Sequence, residues 1–155
     1  DEDGVVEIPS IITMKSFSPW ADAEEQYLLH WYAFDDNGWE YSKLFTFHNF
    51  DSGWYLQLDQ FLTPRISVVR QDNSFIFYLW DEEFHMPQPL MRIHAISGHD
   101  REVQATERGY YVLHRTEGIL YAVETEAIAI EHGLIPELLV DSFHPIQMDW
   151  KNGET

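Results

Sequence analysis

No cysteine occurs among the 155 residues, which excludes disulfides and thiolate-held metals. Bases are scarce. Nine Lys and Arg stand against 27 Asp and Glu, a formal net charge of −18. The excess is −10 over residues 1–63 and −8 over residues 64–155, so it belongs to the whole chain and not to a tail. A field of that sign repels nucleic-acid phosphates and anionic lipid headgroups, and it draws basic proteins or divalent cations. Nucleic acid is therefore not an expected partner. No apolar run approaches the ~20 residues that a membrane-crossing helix needs. Phosphate-cradling GxxxxGK[ST] and GxGxxG loops are missing, as are the GxSxG nucleophile elbow and the HExxH and HxH zinc pairs. The expectation is no catalytic residue, no metal site and no cofactor.

Apolar residues make up 45% of the chain, enough for a core at this length. Aromatics reach 15% and crowd between Phe17 and Phe61, a stretch that holds Trp20, Trp31, Trp39 and Trp54. The patterning predicts an α+β fold, a single antiparallel-sheet-dominated domain over 1–155 with a C-terminal amphipathic helix packed on the sheet. Residues 1–4 read as a frayed acidic terminus and 146–155 as an irregular tail.

Val5–Ile8 and Ile11–Lys15 have strand character interrupted by Pro9, which suits an edge strand. Pro19–Glu25 reads as a short helix, with Pro19 at its first position and Asp22 and Glu25 placed for a capping box. Residues 27–34 and 39–48 form a hairpin around Asp35-Asp36-Asn37-Gly38, where Asn-Gly suits a type I′ turn. Asp51-Ser52-Gly53 is a further turn. Trp54–Asp59 alternates Trp54, Leu56 and Leu58 against Tyr55, Gln57 and Asp59, the pattern of a half-buried strand. Arg65–Arg70 and Ser74–Trp80 flank the turn Gln71-Asp72-Asn73. Phe75–Trp80 is apolar on both faces and belongs inside a sheet.

Pro87 and Pro89 bracket a loop, and Leu90–Ile96 is a strand. His99–Arg108 suits a short exposed helix that Gly109 ends. Tyr110–His114 and Ile119–Glu124 form a hairpin around Glu117-Gly118. Over Leu134–Phe143, residues Leu134, Ile135, Leu138, Leu139 and Phe143 carry the spacing of an amphipathic helix stopped by Pro145.

Leu90-Met91-Arg92-Ile93-His94-Ala95-Ile96, Tyr110-Tyr111-Val112-Leu113, Ile119-Leu120-Tyr121-Ala122-Val123 and Leu138-Leu139-Val140-Asp141-Ser142-Phe143 carry a family resemblance. Over about half the chain, they resemble the C-terminal half of bacterial secreted or lipoprotein domains with a PsbP/Mog1-like α/β/α fold. The "LMRI" spelling and the aromatic first half depart from that pattern. The resemblance implies an extracytoplasmic, non-catalytic domain and transfers no catalytic residue.

Several groups invite chemistry. His94 and His99 lie near Asp100, and His85 follows Glu82 and Glu83, but their spacing is not that of a zinc site. Asp35-Asp36-Asn37-Gly38-Trp39-Glu40 offers oxygen ligands without the distal bidentate Glu of a calcium loop, and a solvated hairpin turn explains it better. Glu40 and Asp59 could pair for glycoside hydrolysis only if the fold brought them within a few ångströms. Ser97-Gly98-His99-Asp100 holds Ser, His and Asp in one run, whereas catalytic triads are assembled in space.

The candidate ligand-binding residues are Trp31, Trp39 and Trp54 with Asp35, Asp36 and Glu40, an aromatic patch ringed by carboxylates. Its expected partner is a protein, or a carbohydrate stacked on the indoles. Two functions fit. One is a non-enzymatic extracytoplasmic binding domain, secreted or held at the cell surface. The chain opens Asp1-Glu2-Asp3-Gly4 without methionine, as removal of a signal or lipid-anchor segment would leave it; truncation of a cytoplasmic protein would do the same. The other is a cytoplasmic acidic inhibitor or immunity-type protein steered onto a basic partner.

Overall fold

The alternation of apolar and polar residues closes two five-stranded antiparallel sheets over one core. A computed structural model describes residues 5–14, 26–83 and 85–146. In the first sheet, the spatial order is β1 (Glu7–Ile12), β2 (Leu28–Phe34), β3 (Glu40–Asn49), β4 (Trp54–Leu58) and β10 (Phe143–Pro145). In the second it is β5 (Ile66–Gln71), β6 (Ser74–Asp81), β7 (Met86–Ser97), β9 (Ile119–Thr125) and β8 (Tyr111–Arg115). The fold is α+β and sheet-dominated, and the last elements among the described residues are a helix and a short strand.

Side chains two apart along a strand share a face, and this periodicity builds the core. Phe47 of β3 meets Phe75 and Phe77 of β6 with ring centroids 5.4 and 5.3 Å apart. Trp54 of β4 stands against Phe75 at 5.5 Å and Tyr121 at 6.1 Å. Aromatic contacts of this tilted kind each add roughly 0.5–1.5 kcal/mol beyond area burial. Helix α3 (Pro136–Ser142) touches β4 and β10 of the first sheet and β8 and β9 of the second, and it buries Leu139 between them. On the far face of the second sheet, α1 (Arg101–Glu107) packs Ala105 against Ile96, Leu120 and Ala122, a small second core.

Four local expectations change. Pro9 does not break its strand: β1 runs through it, with Pro9 opposite Trp31, because β1 is an edge strand. Pro87 and Pro89 do not bracket a loop, since β7 starts at Met86 and pairs both prolines with β6. Pairing with β9 begins only at Met91, so that half of β7 has a neighbour on one side alone, where a missing N–H is tolerated. The helix expected over Leu134–Phe143 is present but shorter, as α3, with Leu134 and Ile135 in the link before it, and a separate short helix, α2 (Ala127–Glu131), precedes that link. Pro136 opens α3 at its first turn, where its fixed φ favours a start, and Phe143 and Pro145 lie in β10 opposite Leu56 and Trp54.

The hairpin turn is not type I′. Only Gly38 has positive φ there, at 78°. Gly38 N–H donates to Asp35 O at 2.9 Å and Asp35 N–H to Trp39 O at 3.0 Å, which is a three-residue loop with glycine at the left-handed position. The expected helix Pro19–Glu25, the terminus 1–4 and residues 147–155 lie outside the described residues.

Candidate functional site

The first sheet extends beyond the cover of the second. Leu28, His30, Tyr32 and Phe34 alternate onto one face of β2, with Ile12 and Ile8 of β1 opposite Leu28 and Tyr32. At one end this face is core: Leu28 is fully buried and Ile12 packs on the main cluster. At the other end it is open. Phe34 is 43% exposed, Ile8 50% and Val6 77%. His30 sits at the transition, stacked on Phe45 at 4.0 Å and bonded to Ser42 Oγ at 2.7 Å. Burial lowers its pKa, and the nearby Glu40 carboxylate pulls the other way. Apolar surface of this kind, left contiguous and rimmed by charge, marks interaction sites.

The β2–β3 turn sits at the open end. Asp35 Oδ1 accepts the backbone N–H groups of Asn37 and Trp39, each at 2.9 Å. The carboxylate is thus spent on shaping the loop. Asp36 and Glu40 are exposed beside it, and Trp39 is 74% exposed. Four of the six candidate residues, Asp35, Asp36, Trp39 and Glu40, therefore come together at this tip. The other two do not join them. Trp54 is 2% exposed in the core. Trp31 lies on the opposite face of β2, where its Nε1 donates to Thr46 Oγ1 at 2.8 Å. Val6, Ile8 and Phe34 were not singled out from sequence. The available signal was β1 itself, an edge strand with apolar residues that the far sheet is too short to cover.

Trp31 belongs to a second feature, a cleft of about 520 Å³ where β2 begins and β3 ends. Pro9, Ile11, Tyr27 and Leu29 line it together with His48, Phe50, Asp51, Arg70 and Phe75. His48 Nδ1 bonds Thr46 Oγ1 at 2.9 Å, and the ring stacks on Tyr55 at 5.0 Å and Phe50 at 5.2 Å. Burial among these rings pushes the His48 pKa down to about 4. Burial, helped by the Glu7 carboxylate, raises that of Tyr55.

A third constellation has the members of a hydrolase triad without forming one in the usual sense. Ser74 Oγ bonds His94 Nδ1 at 2.7 Å, and His94 Nε2 meets Glu124 Oε2 at 3.2 Å. Tyr110 stacks on the imidazole at 4.4 Å, interplanar 8°. Each member comes from a different strand, β6, β7 and β9, so the chain of bonds ties three strands together on the outer face of the second sheet. Burial lowers the His94 pKa, with Glu124 opposing. His94→Ala is expected to cost about 1–2 kcal/mol, the loss of two side-chain bonds and a stacked ring. A urea midpoint unchanged from the parent would show that the tether is idle.

The contiguous Ser97-Gly98-His99-Asp100 run is the turn from β7 into α1, with Gly98 at φ 105° and Asp100 Oδ1 accepting from Gln104 Nε2 at 2.8 Å. Among the described residues no three His, Asp or Glu side chains converge as a metal site would require, and no helix is long and apolar enough to cross a membrane. Compared with known protein families, curated proteins and solved structures, the chain matches none.

Proposed function

We propose that this protein is a non-enzymatic interaction domain acting outside the cytoplasm, and that it captures a basic protein partner on the open end of its first sheet. One observation carries the reading. The inner face of β1 and β2 emerges from the core as exposed Val6, Ile8 and Phe34, with Glu40 opposite Phe34 on that face and Asp36 and exposed Trp39 at the adjoining turn. Trp is the residue type most enriched at the energetic centre of interfaces. Carboxylates at the margin, in a chain of net charge −18, speed encounter with cations and turn away anionic surfaces. A chain without thiols is indifferent to an oxidising compartment, and the same placement follows from the resemblance to secreted PsbP/Mog1-like domains that we read in the sequence of its second half. The same surface would serve a cytoplasmic inhibitor of a basic protein, so compartment is decided by fractionating the producing cells.

The surface is tested with a seven-residue peptide of alternating lysine and leucine, blocked at both ends, titrated into the labelled protein by two-dimensional NMR. Shifts are expected at residues 5–8 and 32–41. Affinity should fall about tenfold between roughly 20 and 200 mM salt. Trp39→Ala should weaken binding about tenfold or more, and the pair Asp36→Lys and Glu40→Lys should abolish it. Asp35 is left intact because it holds the turn. Absence of shifts, or shifts confined to other surfaces, would overturn the reading. The same shifts produced by a neutral oligosaccharide and not by the peptide would transfer the surface to sugar binding.

A further inference from the structure

We propose that the cleft where β2 begins is a separate binding site for a small lipophilic amine. It is separate because Leu29 and Trp31 point to the opposite face of β2 from Tyr32 and Phe34. Its volume, about 520 Å³, falls within the range of roughly 300–1,000 Å³ typical of small-molecule sites.

The wall chemistry selects for an apolar body. Trp31 Nε1 and His48 Nδ1 are both bonded to Thr46 Oγ1, at 2.8 and 2.9 Å. Trp31 and His48 offer the cleft mainly ring surface, and Tyr27, Phe50, Ile11 and Leu29 add apolar lining. A neutral imidazole in that wall does not repel a cation.

The charge pattern selects the sign of the ligand. Asp51 and Arg70 both line the cleft. The Arg70 guanidinium lies 3.8 Å from Asp51 Oδ2 and 5.9 Å above the Phe75 ring, and its Nε donates to the Asp72 carbonyl at 3.4 Å. The guanidinium is thus already engaged by a carboxylate, a backbone carbonyl and a ring face. The whole-chain field points the same way. Aromatic faces add attraction for a cation.

Three ligands with one apolar body separate the possibilities: phenylbutylamine, phenylbutanol and phenylbutanoate, each titrated by two-dimensional NMR at neutral pH and low salt. All three are expected to move the signals of Leu29, Trp31 and Phe50. The amine should bind about three- to tenfold more tightly than the alcohol, and the carboxylate more weakly than either. Asp51→Asn should shrink the amine's advantage without abolishing alcohol binding. Ile11→Trp, at a position 65% exposed and so able to accept a larger side chain, should block all three while leaving the rest of the spectrum in place. Tightest binding by the carboxylate would make Arg70 the selecting group and overturn the proposal. So would equal affinity for the three ligands, or failure of any of them to move the cleft signals.

Discussion

Replacing Trp54 with alanine is expected to cost about 3–5 kcal/mol, the usual range for deleting a buried large aromatic. Its ring stacks on Phe143 at 4.9 Å and meets Phe75 at 5.5 Å and Phe47 at 5.6 Å. One side chain thus holds β10, β6 and β3 against one another. Against a total stability of about 5–15 kcal/mol, the variant loses at least about a fifth of the free energy. Trp39→Ala, at the exposed turn, should stay within about 0.5 kcal/mol of the parent. Urea unfolding followed by circular dichroism compares the two. A Trp54→Ala protein within about 1 kcal/mol of the parent would mean that the ring is not packed as described.

Acid should weaken the fold through His48. The imidazole titrates near 6.5 in an unfolded chain and near 4 in the folded one. Between those values the unfolded chain binds a proton that the folded chain refuses, so stability is full above pH 6.5 and is lost as the pH falls toward 4. The His48 neighbours are Trp31, Thr46, Phe50 and Tyr55, and none offers a carboxylate to hold the proton. Because the ring is only partly enclosed, solvent screening trims the loss to about 1–2 kcal/mol. His30 and His94 are lowered too and act in the same direction.

The readout is the difference in urea midpoint between about pH 7 and pH 4.5, compared with His48→Phe, which keeps an aromatic ring beside Tyr55. Carboxylate protonation affects both proteins, so the difference between them isolates the histidine. If the variant loses as much stability on acidification as the parent, His48 is not the responsible group.

Local pattern carried much of the architecture. In Trp54–Leu58 the alternation is clean because one face meets the core and the other meets water, and the observed strand matches it. The hairpins around Asp35–Gly38, Asp72–Asn73 and Glu117–Gly118 were readable because turn chemistry is local. The misreadings share a cause. Whether Pro87 and Pro89 break a strand depends on whether a second neighbour lies alongside. Whether Phe143 ends a helix or starts a strand depends on the vacant edge of β4, and neither fact is written near those residues.

The candidate patch failed to stay whole for the same reason. Trp31, Trp39 and Trp54 are equivalent as letters. They part company because the second sheet covers Trp54, Trp31 lies further down β2 tied to Thr46, and Trp39 stands exposed at the turn. The cleft was not foreseen, because Pro9, Trp31, His48 and Arg70 come from distant stretches of chain.

The pairing of β10 with β4 sets an order of events during synthesis. Phe143 fills the edge opposite Leu56, so on the ribosome the first sheet waits with an unclosed flank until synthesis has passed Phe143, about 85 residues after β4. A nascent sheet with a bare margin is a template for the wrong strand, whether from its own chain or from a neighbour on the same message. Crowded translation at high expression should therefore be the condition under which this protein most readily misassembles.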